Sequence, residues 1–334
     1  MSAPVTSIVV GAGSWGTALA VHLARSGHRV QLWGRDPVLV EHMRRDRVNA
    51  TYLPGVELPP LVEPTIAFNG AGAARFAVFA VPSHGLRAVA KAAHAHLAPS
   101  AIVLSATKGL EEGRLCRMTE VLSEELPGRP VVALSGPSFA LEVARQQPTA
   151  IVAASADRDA VAAVQEEFRG RYLRLYGSDD VAGVEMGGAL KNVIAIAAGV
   201  VEGIGLGHNA LAGLITRGLA EMSRLSVAAG GRRETLAGLS GLGDLVLTCT
   251  GALSRNRHVG IELGKGRSIG DVVGHMKMVA EGVRTTSAAL ALGERHGVEL
   301  PIADQMAGVM AGTRTPAEAL EELMVRRQRH ENDR

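Results

Sequence analysis

The chain has 334 residues, too many for one ordinary core, and roughly two domains are expected. It is 47% hydrophobic and 20% charged, as globular chains are, and a net charge of +2 offers no broad basic field for nucleic acid. Cys116 and Cys249 have neither metal-ligand spacing nor a disulfide framework. The N-terminus lacks a signal-peptide core, and no apolar run free of glycine and charge reaches the ~18 residues of a membrane helix, so a cytoplasmic protein without membrane insertion is expected.

In chain order, SIVVG at 7–11 reads as a strand, and a helix from about Ser14 to Arg25 follows it. RVQLW at 29–33, FAVFAVP at 76–82, AIVLSATKG at 101–109 and VVALSGPS at 131–138 are further strands separated by helical stretches. TAIVAAS at 149–155 and RYLRLYGS at 171–178 extend the series. This alternation predicts an α/β domain over residues 1–178, a doubly wound, mostly parallel sheet of Rossmann-like type. Beyond 178 the strand-like runs stop. Ala/Leu/Gly-rich stretches at helical spacing, clearest at 209–230, predict an all-α domain over 179–334.

Gly11, Gly13 and Gly16 fit the spacing G-x-G-x-x-G. Such glycines are common in loops, but here they follow a strand, open a helix and precede a second strand, as a dinucleotide fingerprint requires. The first glycine permits the turn, the second lets the backbone approach a pyrophosphate, and the third lets helix and strand pack closely. The acid that usually holds the ribose 2′-hydroxyl of NAD is replaced by Gly34. Arg35 follows it and suits a 2′-phosphate, so NADP(H) is favoured over NAD(H). Asp36 before Pro37 reads more readily as a helix cap than as that acid.

Ligands of open parallel sheets bind beyond the carboxyl ends of the strands. Lys108, and Gly136, Ser138 and Ala140 of SGPSFA, fall at such ends. In the second half, GGALKNVIAIAAG places Lys191 and Asn192 inside an apolar helix. Lys191 has Gly187, Gly188, Ile194 and Ala195 as its helical neighbours, so its surroundings are mostly small. A lysine snorkelling from the helix edge and a lysine cleared for chemistry fit this pattern equally. Asp244 and Thr248 would share a helix face. Ser254, Arg255 and Asn256 form a donor set without carboxylates that suits phosphate, or a polar turn at a helix end. Glu281 sits in a glycine-containing loop, where it or Thr285 or Thr286 could cap a helix. Arg217 and Glu221 are spaced for an ion pair. The scattered histidines form no metal-binding pattern.

Taken together, GAGSWGTALA, NATYLPG, VPSH, ATKGLE, SGPSFALEVA, GGALKNVIAIAAG, LITRGLAEMSRL, GLGDLVLTCT, SRNR and VAEGVRTT resemble bacterial NAD(P)-dependent glycerol-3-phosphate dehydrogenase. They run from about residue 8 to about residue 303. Trp15 stands where Tyr or Phe is also usual, and position 35 varies within the family. The resemblance implies reversible reduction of dihydroxyacetone phosphate to sn-glycerol 3-phosphate for glycerophospholipid synthesis, by a homodimeric oxidoreductase that needs no metal. It implies that Ser14, Trp15, Arg35, Lys108, Ala140, Arg255, Val279 and Glu281 join Gly11, Gly13 and Gly16 in holding the cofactor. Substrate contacts would be Lys108, Gly136, Ser138, Lys191, Asp244, Ser254, Arg255 and Asn256. Lys191 would be the proton donor and acceptor, with Lys108, Asp244 and Asn192 assisting and Thr248 lining the same site. Two rivals are a β-hydroxyacid or 6-phosphogluconate-type dehydrogenase, which also carries a Lys-Asn pair on a helix, and a non-catalytic NADPH sensor. The SRNR and GLGDLVLTCT segments argue against the first, and the retained set Lys108, Lys191 and Asp244 argues against the second.

Overall fold

The computed structural model describes residues 5–276 and 280–327. They divide into two compact units. The first takes residues 5–108 and 116–181, and the second takes 109–115 together with the described residues from 182 onward. Assigning residues 109–115 to the second unit differs from the expected single boundary near 178.

In the first unit the chain forms β1 (Thr6–Val10), α1 (Ser14–Arg25), β2 (Arg29–Trp33), α2 (Pro37–Asp46), β3 (Val62–Thr65), β4 (Phe76–Phe79), α3 (Leu86–Ala93) and β5 (Ile102–Ser105). Then come α4 (Met118–Glu125), β6 (Val131–Ser135), α5 (Ala140–Ala144), β7 (Thr149–Ala154), α6 (Arg158–Phe168) and β8 (Leu173–Ser178). The strands make one eight-stranded sheet in the order β3-β2-β1-β4-β5-β6-β7-β8. All neighbouring pairs are parallel except β6 with β7. The central strands are apolar throughout because both faces are covered. Val9, Val78 and Leu104 enter one core with α1 and α2, while Ile8, Val10, Phe79 and Val103 enter the opposite core with α3 and α4. The chain adds β2 and β3 on one side of β1 and β4 onward on the other, which puts the loop after β1 at the switch point where such folds bind dinucleotides.

One local expectation holds in detail. Asp36 is the N-cap of α2, accepting from Val38 N–H at 2.9 Å, with Pro37 in the first turn. Gly34 is closely packed, because a Cβ there would lie 3.0 Å from Val40 and 3.2 Å from Ala12. The strand β3 was not expected. It is a four-residue edge strand containing Glu63 and Pro64, and it has little of the apolar alternation that marks a strand in sequence.

The second unit is helical: α7 (Val181–Gly203), α8 (His208–Ala228), α9 (Arg233–Leu236), α10 (Asp244–Thr250), α11 (Arg255–Gly264), α12 (Ile269–Gly274), α13 (Glu281–His296), α14 (Pro301–Ala311) and α15 (Pro316–Met324). Helix α7 is long and apolar enough to span a membrane, yet 94% of its apolar window is buried within the protein, which makes it the central core helix. It meets α11 at unusually short range. A Cβ on Gly199 would lie 2.0 Å from the Arg257 carbonyl oxygen, and one on Gly260 would fall on that of Ile196. Glycines four residues apart on each helix, Gly199 and Gly203 facing Gly260 and Gly264, allow the backbones to touch.

Glu221 on α8 does not make the expected ion pair with Arg217. Its buried carboxylate accepts Ile302 N–H at 2.9 Å and Ala303 N–H at 3.0 Å, satisfying the start of α14. Burial pushes this carboxyl from 4.5 up to about 7, while the two N–H bonds and the charges of Arg224 and Arg326 pull it down. The folded chain therefore holds this proton more tightly than the unfolded chain does. Its contribution to stability is full below about pH 4.5 and is lost as pH rises through about 7, a change on the order of 3 kcal/mol. Melting curves across this window should show a shallower decline for Glu221→Gln than for the wild type. Identical slopes would contradict the assignment.

Candidate active site

In the first unit the fingerprint loop links β1 to α1 at the carboxyl end of the sheet. Gly11 has φ 122, and a Cβ on it would lie 2.6 Å from the Ala80 carbonyl oxygen. A Cβ on Gly16 would fall on the Gly11 carbonyl oxygen. Protein packing therefore requires both glycines. Gly13 is different, since a Cβ on it would meet nothing within 4 Å. It is also the N-cap of α1 and brings no capping side chain. An open side at the middle glycine, beside an uncapped 12-residue helix start, fits a pyrophosphate. Ser14 and Trp15 begin that helix and are half-buried, and Arg35 is exposed just past β2.

Asn49, to which the sequence assigned no role, is buried against this loop. Its carboxamide donates to the Ala12 carbonyl at 2.9 Å and to Thr17 Oγ1 at 2.8 Å. The partners lie 37 and 32 residues away in sequence, so no local spacing points to them.

Also in the first unit, Lys108 and Ser138 converge. Lys108 Nζ and Ser138 Oγ each donate to the Gly136 carbonyl at 3.0 Å. Gly136 has φ 130, and a Cβ on it would lie 3.0 Å from Ile151 Cα, so glycine is needed for β7 to run beside β6. Ala140 begins the short helix α5.

The second unit gathers most of the remaining predicted residues around α7. Lys191 is 7% exposed, which excludes a snorkelling lysine. Its Nζ donates to Asp244 Oδ1 at 2.5 Å and to Thr248 Oγ1 at 2.8 Å. Thr248 in turn donates to the Asp244 backbone carbonyl at 2.6 Å, so the hydroxyl has a lone pair left for the ammonium. Asp244 and Thr248 lie one turn apart on α10, as their spacing predicted. The small residues near Lys191 also have a structural explanation. A Cβ on Gly187 would fall on the Ser240 carbonyl oxygen. The backbone of residues 239–243, a π-helical turn, occupies that space and delivers Asp244 to the lysine.

Ser254, Arg255 and Asn256 stand at the start of α11. Ser254 is its N-cap and accepts Arg257 N–H at 3.2 Å, so the donor set stands at a helix start, a terminus whose N–H groups also suit an anion. Asn256 donates to Asn192 Oδ1 at 2.9 Å and accepts Gly282 N–H at 3.0 Å, tying α11 to α7 and α13. The Arg255 side chain is exposed, yet desolvation by the protein around it lowers its pKa, with the Glu281 charge opposing. Glu281 is the first residue of α13. Ala280 is the N-cap, and Thr285 and Thr286 are buried within the helix rather than capping it. Val279 lies outside the described residues. Burial pushes the Cys249 thiol up to about 12, so this neighbour of Lys191 is no nucleophile. Among the described residues no group of three or more His, Cys, Asp or Glu side chains is placed to hold a metal ion.

Chemically, the second unit offers a buried ammonium fixed by a carboxylate and a hydroxyl, and an Arg-bearing helix terminus suited to an anion. Two family models match the chain: NAD-dependent glycerol-3-phosphate dehydrogenase N-terminus over residues 6–161, and the C-terminus of the same family over residues 180–321. A glycerol-3-phosphate dehydrogenase [NAD(P)+] of Acidobacterium capsulatum is 52% identical over 97% of this chain and 98% of its own length. The crystal structure of glycerol-3-phosphate dehydrogenase from Coxiella burnetii superposes with a TM-score of 0.93 at 38% identity, covering 97% of this chain and 99% of that one. The yeast glycerol-3-phosphate dehydrogenase structure gives 0.80 at 26% identity, covering 96% and 99%.

Proposed function

The chain belongs to the NAD-dependent glycerol-3-phosphate dehydrogenase family, and from that premise we propose that it reduces dihydroxyacetone phosphate to sn-glycerol 3-phosphate with NADPH, reversibly. The observation that carries this reading is the buried Lys191–Asp244–Thr248 set, on helices packed with the one that begins at Ser254–Arg255–Asn256. When bound, the nicotinamide supplies the hydride. Negative charge then develops on the substrate's carbonyl oxygen, and the Lys191 ammonium stabilises it and delivers the proton. Asp244 and Thr248 aim the ammonium, which limits the motion needed at the moment of transfer. Arg255, Ser254 and Asn256 grip the phosphate and so hold the carbonyl in register, with Lys108, Gly136 and Ser138 as further substrate contacts. Asn256 also acts through Asn192, since their 2.9 Å bond couples the phosphate grip to the residue after the catalytic lysine.

NADPH is the preferred reductant in this reading. Gly34 replaces the usual acid and is tightly packed, the Asp36 carboxylate is engaged in capping α2, and Arg35 is exposed beside them. Ser14, Trp15, Ala140, Arg255 and Glu281 complete the cofactor contacts. The enzyme serves glycerophospholipid synthesis as a cytoplasmic homodimer, and sedimentation of the purified protein tests the dimer. Loss of NADPH absorbance on adding dihydroxyacetone phosphate tests the reaction; no oxidation, or faster oxidation with a β-hydroxyacid's keto form, would overturn it. Arg35→Ala should raise KM for NADPH by about tenfold or more while changing KM for NADH little, as expected for loss of one charge-assisted phosphate contact. Equal effects on both cofactors would remove Arg35 from the 2′-phosphate.

A further inference from the structure

Asn49 has a bonding pattern that the roles given so far do not use. It follows α2, is fully buried, and has both ends of its carboxamide engaged within the first unit. Its Nδ2 donates to the Ala12 carbonyl at 2.9 Å and to Thr17 Oγ1 at 2.8 Å, and its Oδ1 accepts Tyr52 N–H at 3.1 Å. Ala12 lies between the first two fingerprint glycines, and Thr17 lies in the first turn of α1. One side chain thus ties the middle of the loop to the helix that the loop opens.

A trans peptide is planar, so its C=O and N–H point in opposite directions. Holding the Ala12 carbonyl on Asn49 therefore turns the Gly13 N–H away from Asn49. Gly13 is the glycine whose missing Cβ faces open space. Ala12 is packed in the core, but Gly13 on the other side of the peptide restricts its own φ and ψ least, so that side adds little to fix the orientation of the Ala12–Gly13 peptide. A buried carboxamide with two donors on one nitrogen supplies that restraint at the loop and at the helix together.

We propose that Asn49 is a positioning residue for dinucleotide binding, locking the Ala12–Gly13 peptide so that its N–H and the start of α1 face the cofactor's pyrophosphate. The proposal rests on reading GAGSWG as the cofactor loop. The pyrophosphate is common to NADPH and NADH, so the clamp acts on both alike, whereas Arg35 acts on one.

The test uses two variants of the full chain. Asn49→Asp is nearly isosteric and keeps the acceptor for Tyr52 N–H, but it replaces both N–H donors with an oxygen facing the Ala12 carbonyl. Thr17→Val removes only the helix-side partner. NADPH and NADH dissociation constants are measured by fluorescence titration well below each variant's melting temperature, alongside steady-state kinetics. Asn49→Asp is expected to weaken both cofactors by about tenfold or more, leaving their ratio unchanged and keeping kcat at saturating cofactor and KM for dihydroxyacetone phosphate. Thr17→Val is expected to weaken both by a few-fold. A lowered melting temperature with wild-type dissociation constants would reduce Asn49 to a structural role and overturn the proposal. A changed NADPH/NADH ratio would also overturn it. If Asn49→Asp does not fold, Thr17→Val decides alone, and unchanged cofactor binding there is the overturning result. Wild-type protein that binds neither dinucleotide would instead refute the cofactor reading, and the clamp with it.

Discussion

Lys191→Ala is expected to lower kcat by roughly 10²–10⁴-fold, the range lost with a positioned general acid, while NADPH still binds. The substitution has a second effect that must be separated from the first. Asp244 is completely buried, and its ion-pair partner is the Lys191 ammonium at 2.5 Å. Removing one member of a buried pair takes its counter-charge from the other, at a cost of about 3–5 kcal/mol. A loss of activity could then reflect unfolding rather than chemistry. The double variant Lys191→Ala/Asp244→Asn removes the buried carboxylate's charge as well. It should recover most of the lost melting temperature and none of the turnover. Recovery of turnover in the double variant, or wild-type kcat in the single one, would remove Lys191 from proton transfer.

The second large effect comes from a glycine with no side chain to do chemistry. Gly260→Ala adds one methyl group where the Ile196 carbonyl oxygen already stands, with Gly199 Cα 2.9 Å away. Neither neighbour is the flexible end of a side chain, so α11 must move off α7. Overpacking of this kind costs about 1–3 kcal/mol, and a backbone clash falls at the upper end. The displacement should also be visible in catalysis, because α11 begins with Ser254, Arg255 and Asn256, and the Asn256–Asn192 bond spans the two helices. KM for dihydroxyacetone phosphate should rise about tenfold or more, in line with loss of charged and buried hydrogen bonds, with cofactor binding less affected. Gly213→Ala on α8 is the matched control, since a Cβ there meets nothing within 4 Å. It should be neutral or stabilise by up to about 1 kcal/mol. Equal losses in the two variants would show that the close approach of α7 and α11 does not hold the phosphate grip.

What could be read in the sequence was what repeats along it. The buried strands announced themselves as apolar runs, and the one missed strand, Val62–Thr65, carries Glu63 and Pro64 at a sheet edge. Asp244 and Thr248 were placed on a common face because helical spacing is regular. That their face meets Lys191, 53 residues earlier, came only from the family resemblance and not from the spacing, because nothing local records which helices pack together. The small residues around Lys191 showed that something approaches there. They could not show that it is the backbone at Ser240. The Arg217–Glu221 pair was misread for a related reason: spacing permits a contact, but the orphan N–H groups opening α14 compete for the same carboxylate. The SRNR set fitted a phosphate grip or a polar turn at a helix end, and the structure shows Ser254 at a helix start as its N-cap.

Residues 109–115 bear on how this protein could be divided. They leave the sheet-bearing unit after Lys108 and belong to the helical one, where Leu110 is buried in the core and Glu112 pairs with Arg284. Cutting the chain at residue 181 would not yield two modules. The N-terminal fragment would keep Leu110 as an apolar side chain with no partner core, and the C-terminal fragment would keep a hole where it had been. Recombining halves between relatives should therefore work better when the 109–115 segment is exchanged together with the helical half.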